Sequence, residues 1–546
     1  QKSLVKTKNY IVASANPHAS EAGDLVLRQG GNAIDAMVAV QLVLGLVEPQ
    51  SSGLGGGAFL VYHDADKNRL TTYDGRETAP AAATPDMFLL ENGQPKRFFE
   101  AVIGGSSVGT PGTVKLLHEV HKKHGSMEWS KLFEPAIKLA REGFKVSPRL
   151  NALITRAAES LYVHETTRNY FLSEEAVPLF VGTLVRNPEY AKTLEAIAEN
   201  GADAFYTGAL ASQIVDTVRN ANANPGGLSL EDLANYEIIE REPVCYRYRG
   251  YDVCGMGPPS SGALTVGQML GMLEASDLNA LGAYDPESWR LIGDASRLAF
   301  ADRGLFMADS DFVTMPKGLL NRDYLANRGK LLKTGQALSG EEVKPGEPPF
   351  DDARIYAPDT SLELPSTSHF SIVDKDGNVV SMTTTIENGF GSRLMVGGFL
   401  LNNELTDFSF VPEFKGKPVA NRVEPGKRPR SSMAPTIILK DGNPVLAIGS
   451  PGGSRIIPYV AKTIIAWLDW EMDIQQAIEL PHLVNRFGKY DLEAGTPAES
   501  FIPSLEKLGY EVEARGLNSG LHGIEITQDG LEGGADPRRE GVAIGQ

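Results

Sequence analysis

The sequence is short of several features that mark whole classes of protein. Only 2 cysteines and 9 histidines occur among its 546 residues. The histidines are scattered and no Cys-x-x-Cys pair is present, so no metal-ligand spacing can be found. Asp and Glu outnumber Lys and Arg by 69 to 52, for a net charge of -17, and no basic stripe interrupts this excess. Because a phosphate-binding surface needs clustered cations, the composition argues against nucleic acid and anionic membrane as partners.

Long hydrophobic runs are also missing. The longest, residues 36–47, is interrupted by Gln41 and is too short to cross a bilayer, so it predicts a buried helix and no membrane span. The first three residues, Gln1 to Ser3, begin no apolar leader, so we expect any signal peptide to be absent from this chain. A chain of this length exceeds the usual single core, and we expect several domains or one large multilayer domain.

The order of patterns along the chain is helix-rich at first and strand-rich in the last third. An apolar helix begins after Asn32 and ends before Pro49, and a glycine cluster at residues 53–57 then leads into a strand at 58–62. A dinucleotide-binding fingerprint needs strand, glycines and helix in that order. Here the order is reversed, which argues against such a site. Residues 335–365, rich in Gly, Glu and Pro, predict a flexible stretch.

The two cysteines lie in one predicted hairpin. A two-residue turn at Arg249-Gly250 would place Cys245 directly across from Cys254, at a non-hydrogen-bonded position where α-carbons approach to about 4.5 Å. That separation lies at the short end of the disulfide range. We therefore expect a cross-strand disulfide, which implies an oxidising compartment. Two small buried thiols in a reduced protein are the alternative.

A second hairpin is predicted at residues 367–387. Strand-like runs at 367–373 and 379–387 flank a turn cluster. If the chain is cut before Thr367, that residue carries both a nucleophilic hydroxyl and its own base, a free α-amino group. His369, two residues away, invites a Thr-His reading, but a terminal Thr needs no second base, so we favour a packing or hydrogen-bonding role.

The register of this hairpin decides what faces Thr367. A three-residue loop at 375–377, with its glycine in the left-handed conformation, places Thr385 opposite Thr367 on the same face. A two-residue turn at 376–377 would instead pair Thr367 with Ile386 and point Thr385 away. Spacing alone leaves both registers open, and the threonines could also be simple strand residues.

Several motifs, in their order and spacing, resemble the gamma-glutamyltransferase family of N-terminal nucleophile hydrolases over nearly the full chain. They are DGRETAP at 74–80, the Thr367 hairpin, LNNELTDFS at 401–409, KRPRSSM at 427–433 and GSPGGSR at 449–455. The resemblance implies an α+β fold, a four-layer αββα sandwich. It also implies cleavage before Thr367 into a large subunit, residues 1–366, and a small subunit, residues 367–546. The two would stay together as a heterodimer, one interleaved αββα unit.

The resemblance assigns the catalytic roles to four residues. Thr367 is the nucleophile and Thr385 supports its hydroxyl. Gly452 and Gly453 offer backbone N–H groups that can approach a tetrahedral oxygen closely because no side chain intervenes. On its own, a Pro-Gly-Gly sequence is often only a turn.

Substrate-binding roles follow in the same way. Arg76 would grip the substrate α-carboxylate bidentately, with hydrogen bonds from Ser431 and Ser432. The carboxylates that would surround the α-ammonium group are Glu387, Glu404 and Asp407. Three carboxylates in one place repel each other, which would raise a pKa or draw in a cation. Taken singly, Arg76 could be solvated, Glu404 a surface charge and Asp407 a turn cap.

Two features depart from better-known members of that family. Glu387 stands where many members carry Asn, as in some bacterial relatives. The loop at residues 410–426 is shorter than in members with a lid over the substrate. A reduced lid would leave an acyl-enzyme more open to water, so we expect a substantial hydrolase component.

These features together predict an enzyme without cofactor or metal, periplasmic or secreted. Its expected donors are glutathione or glutamine-type γ-glutamyl compounds, and its acceptors are water, amino acids or peptides. The alternative is a glutaryl or cephalosporin acylase of the same family. A glutaryl group lacks the ammonium, so Glu404 and Asp407 would be desolvated without a partner. A non-catalytic protein of this fold would be expected to lose Thr367 or the Gly452-Gly453 turn.

Overall fold

The protein was analysed as a computed structural model that describes residues 1–349, 355–359, 361 and 363–546. The strands in these ranges are β1 (Val5–Thr7), β2 (Ile11–Ser14), β3 (Gly57–Asp64), β4 (Arg69–Gly75), β5 (Phe144–Lys145), β6 (Leu184–Val185), β7 (Ile239–Arg241), β8 (Val244–Tyr248), β9 (Tyr251–Gly255), β10 (Ser368–Val373), β11 (Val379–Thr385), β12 (Met395–Val396), β13 (Phe399–Leu400), β14 (Glu413–Phe414), β15 (Lys417–Pro418), β16 (Thr436–Lys440), β17 (Asn443–Ile448), β18 (Leu483–Asn485), β19 (Lys489–Glu493), β20 (Glu511–Arg515), β21 (His522–Thr527), β22 (Gly530–Ala535) and β23 (Val542–Gly545).

The α-helices of the same ranges are α1 (Pro17–Arg28), α2 (Ala33–Val47), α3 (Phe98–Val102), α4 (Thr113–His124), α5 (Glu134–Glu142), α6 (Pro148–Leu161), α7 (Glu165–Phe171), α8 (Pro188–Asn200), α9 (Asp203–Tyr206), α10 (Gly208–Arg219), α11 (Leu230–Ala234), α12 (Gly262–Leu273), α13 (Leu278–Leu281), α14 (Pro286–Phe306), α15 (Arg322–Gly329), α16 (Ile456–Leu468), α17 (Ile474–Glu479) and α18 (Ile502–Lys507).

Two seven-stranded sheets form the centre of the molecule. The first has the order β23-β2-β10-β11-β3-β4-β7 and the second the order β1-β22-β21-β17-β16-β9-β8. Alternation along each strand sends one set of side chains into the space between the sheets. That inner layer contains buried Ile11, Val61, Val373, Ile437 and Ile524. The two sheets therefore pack face to face.

Helices cover the outer face of each sheet. Helices α1 and α2 lie on the first sheet, and α12, α16 and α17 lie on the second. Every residue of α2 is buried, and the helix begins with a capping box between Asn32 and Asp35, which satisfies two orphan backbone donors. The predicted buried helix and the four-layer αββα sandwich are both confirmed.

The hairpin of β10 and β11 lies in the middle of the first sheet, between β2 and β3. Ser368 pairs with Thr384 and Val373 with Val379, so Thr367 stands opposite Thr385 just before β10. The loop glycine, Gly377, has φ +88°. The three-residue loop is confirmed and the two-residue turn is wrong.

The predicted second run ended at Glu387, but β11 ends two residues earlier. Glu387 has φ +78°, a left-handed conformation that no strand residue adopts. Its backbone N–H bonds Thr385 Oγ1 at 2.9 Å instead of continuing the ladder. The chain thereby turns out of the sheet beside Thr367.

The predicted disulfide is also present. Cys245 in β8 and Cys254 in β9 are directly paired and bonded, with their α-carbons 4.0 Å apart. The turn residues Arg249 and Gly250 have φ of +52° and +85°, as a two-residue hairpin turn requires.

The predicted flexible stretch at 335–365 falls partly outside the described residues. Within residues 335–349 the structure has neither helix nor strand. Among the described residues, no helix combines the length and apolarity needed to cross a membrane. The same ranges contain no cluster of His, Cys, Asp or Glu able to hold a metal ion.

Candidate active site

Thr367 lies buried at the start of β10, in an uncut chain, with its hydroxyl turned back on the preceding peptide bond. Its Oγ1 donates a hydrogen bond to the Ser366 carbonyl oxygen and lies 3.1 Å from Thr385 Oγ1. Thr385 Oγ1 in turn lies 3.0 Å from the same carbonyl oxygen. Two hydroxyls therefore converge on one peptide carbonyl, which polarises it.

Bonds on both sides hold the peptide that joins residues 366 and 367. Arg539 Nη1 donates to the Thr367 carbonyl oxygen at 2.9 Å. The Ser366 hydroxyl donates to the Gln50 carbonyl oxygen at 2.9 Å. Since these partners come from opposite ends of the chain, tertiary structure fixes this peptide.

The His369 side chain lies in the layer between the sheets and makes no hydrogen bond to Thr367. Its ring nitrogens bond Thr383 Oγ1 at 2.8 Å and Ser371 Oγ at 2.9 Å. Burial holds the pKa of His369 well below its usual range. A Cβ at Gly449 would lie 2.3 Å from this ring, so the motif glycine makes room for it. The packing and hydrogen-bonding role is supported.

Arg76 follows β4 directly and is 1% exposed. Nη1 lies 3.0 Å from Glu404 Oε1 and Nη2 lies 2.7 Å from Asp407 Oδ2. The backbone carbonyls of Pro429 and Arg430 accept from the same guanidinium at 3.0 and 2.9 Å. Burial disfavours the charged form, but the two carboxylates outweigh it and raise the pKa of Arg76. A solvated Arg76 is excluded, as is a surface position for Glu404, which is fully buried.

The carboxylates around Arg76 are not fully satisfied. Glu404 Oε1 has Arg76 as its ion-pair partner, but Oε2 of Glu404 and Oδ1 of Asp407 accept no hydrogen bond from an N–H or hydroxyl donor among the described residues. Burial and the mutual repulsion of the acids raise the pKa of Glu404 and of Asp407 well above their ordinary values. Buried, unpaired acceptors of this kind are costly, and an ammonium group would relieve them.

Glu387 completes the acidic group from the far side. It accepts from the Asn403 side-chain amide, and burial together with Asp407 raises its pKa well above the ordinary value. Its positive φ is a strained conformation for a side chain of this size, of the kind held at functional sites.

One cavity brings these groups together. Its walls include the predicted nucleophile, its supporting threonine, the arginine, the acids, both serines and one of the two glycines. They are Thr367, Thr385, Arg76, Glu387, Glu404, Asp407, Ser431, Ser432 and Gly453. The tenth predicted residue, Gly452, adjoins Gly453 but does not line the cavity itself.

Gly452 and Gly453 have a backbone conformation that lets a substrate oxygen approach their N–H groups closely. Gly452 and Gly453 have φ of +141° and +60°, which favours glycine. In the described part of the chain, neither donates its N–H to another group. A Cβ at Gly453 would lie 3.0 Å from the Glu363 carbonyl oxygen, so this turn lies against the segment that precedes the nucleophile.

The loop at 410–426 packs away from this cavity. Phe410 stacks on Phe88, with ring centroids 4.8 Å apart, and β14 and β15 form a small exposed ribbon. No described residue of the loop lines the cavity.

Three functional candidates were missed from the sequence. Glu77 is buried within hydrogen-bond reach of Glu404, and burial raises its pKa to about 7 against the influence of Arg76. Glu363 lines the cavity and pairs with Arg303. The only signal for Glu77 was its place beside Arg76 in the motif; Arg303 lies inside an ordinary helix and gave none.

Known proteins are similar to this sequence over nearly its whole length. The family described as Gamma-glutamyltranspeptidase matches residues 19–546. A glutathione hydrolase proenzyme of Bacillus subtilis (strain 168) is 39% identical over 549 residues, covering 98% of this chain and 92% of that protein. One of Escherichia coli (strain K12) is 38% identical over 546 residues, covering 98% and 91%.

Solved structures share the fold. The cephalosporin acylase from Bacillus halodurans superposes with a TM-score of 0.87 at 26% identity, covering 100% of this chain and 97% of that one. The gamma-glutamyltranspeptidase of Helicobacter pylori superposes with a TM-score of 0.60 at 35% identity, covering 63% and 97%. The chain therefore belongs to the gamma-glutamyltranspeptidase family of N-terminal nucleophile hydrolases, and it is an acyl-transferring and hydrolysing enzyme of that family.

Proposed function

We propose that this chain cleaves itself before Thr367 and then moves the γ-glutamyl group of glutathione or glutamine-type donors to water, amino acids or peptides. One observation carries the proposal. A buried arginine flanked by Glu404 and Asp407 lies on the wall of the cavity that holds the Thr367 hydroxyl. A cation and two anions that lie side by side are complementary to the α-carboxylate and the α-ammonium of a γ-glutamyl donor.

Self-cleavage would use the contacts of the uncut chain. Thr367 Oγ1 attacks the Ser366 carbonyl carbon, and the Thr385 hydroxyl donates to the oxygen that becomes negative. As this intermediate collapses, the amide nitrogen takes up the proton lost by the Thr367 hydroxyl, the C–N bond breaks, and an ester on Thr367 with a free α-amine remains. Water then hydrolyses the ester and releases the carboxylate of Ser366. The products are a large subunit, 1–366, and a small subunit, 367–546.

Turnover would repeat the same chemistry on a donor. The free α-amine of Thr367 takes the hydroxyl proton as Oγ1 attacks the γ-carbonyl. Backbone N–H groups of Gly452 and Gly453 stabilise the oxyanion, at about 3 kcal/mol for such a donor. The leaving amine takes the proton, and water or an amine acceptor then attacks the acyl-threonine.

Specificity for the ammonium would come from the acids. Glu404 and Asp407 keep carboxylate oxygens without partners among the described residues, and Glu387 lines the same cavity. A donor ammonium supplies the missing hydrogen bonds, and its charge favours ionised carboxylates whose pKa burial has raised. A glutaryl group would leave them unpaired, so the acylase alternative is disfavoured even though an acylase shares the fold.

The short, outward-packed loop at 410–426 supports a substantial hydrolase component, because it leaves the cavity without cover from this segment. We expect water to compete with an amine acceptor at low acceptor concentration. Product analysis with glycylglycine over a range of concentrations tests this. Transfer that dominates overwhelmingly even at low acceptor would contradict it.

The disulfide between Cys245 and Cys254 supports a periplasmic or secreted location. Structural disulfides persist in oxidising compartments and are rare in the cytosol.

The decisive experiment combines intact mass with substrate choice. The purified chain is incubated, its intact mass is measured by mass spectrometry, and its activity is assayed on a γ-glutamyl anilide and on the corresponding glutaryl anilide. We expect two fragments split before Thr367 and faster release from the γ-glutamyl substrate. Thr367→Ala is the control and should remain one inactive chain. A glutaryl preference would move the assignment to the acylase reading, and an uncut, inactive wild-type chain would contradict the proposal.

A further inference from the structure

A separate cavity is connected to the nucleophile through the side chain of Arg539. None of the described residues that line it lines the cavity of the Thr367 hydroxyl. Arg539 lies on its wall and donates from Nη1 to the Thr367 carbonyl oxygen at 2.9 Å. One side chain therefore joins two cavities that are otherwise distinct.

Cations dominate the charged side chains of this second cavity, which we call the basic cavity. Its wall carries one carboxylate, Glu540, against the cations Lys145, Arg149, Arg156, Arg538 and Arg539. The chain as a whole has a net charge of -17, so this local excess of positive charge runs against the overall composition. A concave, cationic wall concentrates anions from solution.

The cations lie at different depths. Arg539 is 5% exposed, and the side chains of Arg538 and Arg149 are 11% and 16% exposed. Lys145 and Arg156 are exposed. The basic cavity therefore has a buried guanidinium floor and a solvated cationic rim.

Arg149 and Arg539 share one buried acid. Arg149 Nε lies 4.0 Å from Glu48 Oε2, and Glu48 also attracts Arg539. The Nε atoms of both arginines lack a hydrogen-bond partner among the described residues. Burial, together with the charge of Arg149, lowers the pKa of Arg539 to about 9. Two guanidinium groups with a single shared acid leave positive charge uncompensated at the floor.

The remaining cations are one that is neutralised and two that are free. Arg538 pairs with Glu493 at 2.6 Å and with Asp536 at 3.1 Å. Lys145 and Arg156 have no ion-pair partner in the described part of the chain. The uncompensated charge of the rim therefore comes from these two side chains.

Glu540 does not neutralise the cavity, because its carboxylate is committed to the backbone. Its Oε1 accepts from the Arg149 N–H at 3.1 Å, in the first turn of α6. The Ser147 hydroxyl accepts from the Leu150 N–H at 3.1 Å. Since the N-terminus of α6 is already capped, an incoming ligand would meet side-chain cations and not free backbone N–H groups.

We propose that the basic cavity binds a multivalent oxyanion, a phosphate or a polycarboxylate, between the Arg149 guanidinium and the rim cations Lys145 and Arg156. A guanidinium fork matches the spacing of oxygens in both kinds of anion. An anion at this position also relieves the repulsion between Arg149 and Arg539. The inference goes beyond the proposed function and does not depend on it, because the uncut chain already contains the cavity.

The basic cavity is built from both sides of the proposed cut. Its cations at residues 145–156 precede residue 367, whereas Arg538 and Arg539 follow it. In a cut chain, an anion would attract cations of both pieces and stabilise their association by mass action. The urea concentration at which the two pieces separate should therefore rise with bound anion, and a midpoint unchanged at saturation would overturn this bridging role.

Isothermal titration calorimetry of the uncut Thr367→Ala chain tests the site directly. Inorganic phosphate and citrate are titrated separately, in sodium chloride of matched ionic strength so that general screening is constant. We expect saturable binding to one site with a Kd below about 1 mM for at least one probe. Tighter phosphate binding would identify a phosphate ligand, and tighter citrate binding a polycarboxylate.

Two exposed double variants locate the binding. Lys145→Gln with Arg156→Gln should weaken the Kd by about tenfold or more, since it removes two charge-assisted contacts. Lys138→Gln with Arg186→Gln removes the same charge at exposed positions outside the cavity and should change the Kd by less than about twofold. Arg149→Lys keeps the floor charge without the fork and should weaken binding to an intermediate degree.

The outcomes separate this inference from the proposed function. No saturable heat with either probe, a Kd above about 10 mM, or equal weakening in the two double variants would overturn the anion site and leave γ-glutamyl transfer untouched. A wild-type chain that binds a probe but is neither cut nor active would overturn the proposed function and support the site.

Discussion

At the scale of single residues, the site is built from charges that are buried before any substrate arrives. Arg76, Glu404 and Asp407 form one compact group in which the acids keep oxygens without partners in the described chain. The free-energy cost of burying these charges is offset by the stability of the rest of the fold. Such preorganisation costs stability and gains selectivity for a ligand that carries both signs of charge.

Thr385 permits a sharp test of self-cleavage. Its hydroxyl contacts Thr367 Oγ1, the Ser366 carbonyl oxygen and the N–H of Glu387. Because it donates to the oxygen that becomes negative, we expect Thr385→Val to slow cleavage by roughly 100-fold. Denaturing gels of a time course measure this. Thr384→Val, on the opposite face of β11, is the control, and equal rates for the two variants would remove Thr385 from the reaction.

Glu77 should make the free energy of unfolding fall as the pH rises. Burial raises its pKa from 4.5 to about 7, so between these values the folded chain holds a proton that the unfolded chain has released. The stability that Glu77 contributes is therefore present below about pH 4.5 and is lost as pH rises through about 7. A rise in pKa from 4.5 to about 7 corresponds to a loss of at most about 3.5 kcal/mol of unfolding free energy.

Glu77→Gln cannot ionise and should escape this loss. Relative to the parent, the variant should gain stability between about pH 4.5 and about pH 8. Calorimetric unfolding in a Thr367→Ala background, where the chain stays single, measures the difference. Glu91→Gln, an exposed position, is the matched control. A parent-to-variant difference that stays constant with pH would contradict the prediction.

At the scale of elements, hairpins decide the geometry. The loop of β10 and β11 fixes a register in which Thr385 faces Thr367, and a shift of one residue would send every side chain to the other face. The β8–β9 hairpin uses its two-residue turn to align two cysteines. In both hairpins a glycine with positive φ, Gly377 or Gly250, makes the turn without steric cost.

Removal of the disulfide should weaken the fold and spare the chemistry. Cys245 and Cys254 are separated by 9 positions, and a closed loop of this size contributes about 2–3 kcal/mol through the unfolded state. β8 is at the edge of the second sheet, away from Thr367. We expect the Cys245→Ser, Cys254→Ser double variant to lose about that much unfolding free energy and to keep its kcat. Alkylation that adds the same mass with and without reductant would show that no disulfide forms.

At the scale of the whole molecule, the strands on either side of the cut are interleaved. β10, β11 and β23 share the first sheet with β2, β3, β4 and β7, and β16, β17, β21 and β22 share the second with β1, β8 and β9. Every shared boundary is a ladder of backbone hydrogen bonds, and at the central boundaries of β10 with β2 and of β11 with β3 the side chains are almost all buried. The two pieces of a cut chain have no separate cores.

We therefore expect cleavage to leave the particle intact. The processed protein should elute from a sizing column as one species with the volume of the Thr367→Ala chain, and should show two bands only on a denaturing gel. Its fragments, purified in denaturant, should fail to refold apart and should recover structure when mixed. Fragments that separate in native buffer would contradict this interleaving.

The sequence by itself determined the family, the hairpin that follows Thr367, the pairing of the two cysteines and the buried helix. These follow from local patterns, since turn chemistry sets a register, alternation sets a face and an apolar run sets burial. It left the register of the Thr367 hairpin open between two turn lengths. The tertiary structure decided that choice by pairing β11 with β3 over its whole length.

Only the tertiary structure decided which charged side chains pair with which partners. Residues hundreds of positions apart meet in the pairs of Arg76 with Asp407 and of Arg539 with the Thr367 carbonyl, and no local pattern encodes such a meeting. The same holds for Arg303 of α14, which pairs with Glu363, a residue 60 positions away. Pairing energies depend on burial and distance between distant segments, and both exist only once the chain has folded.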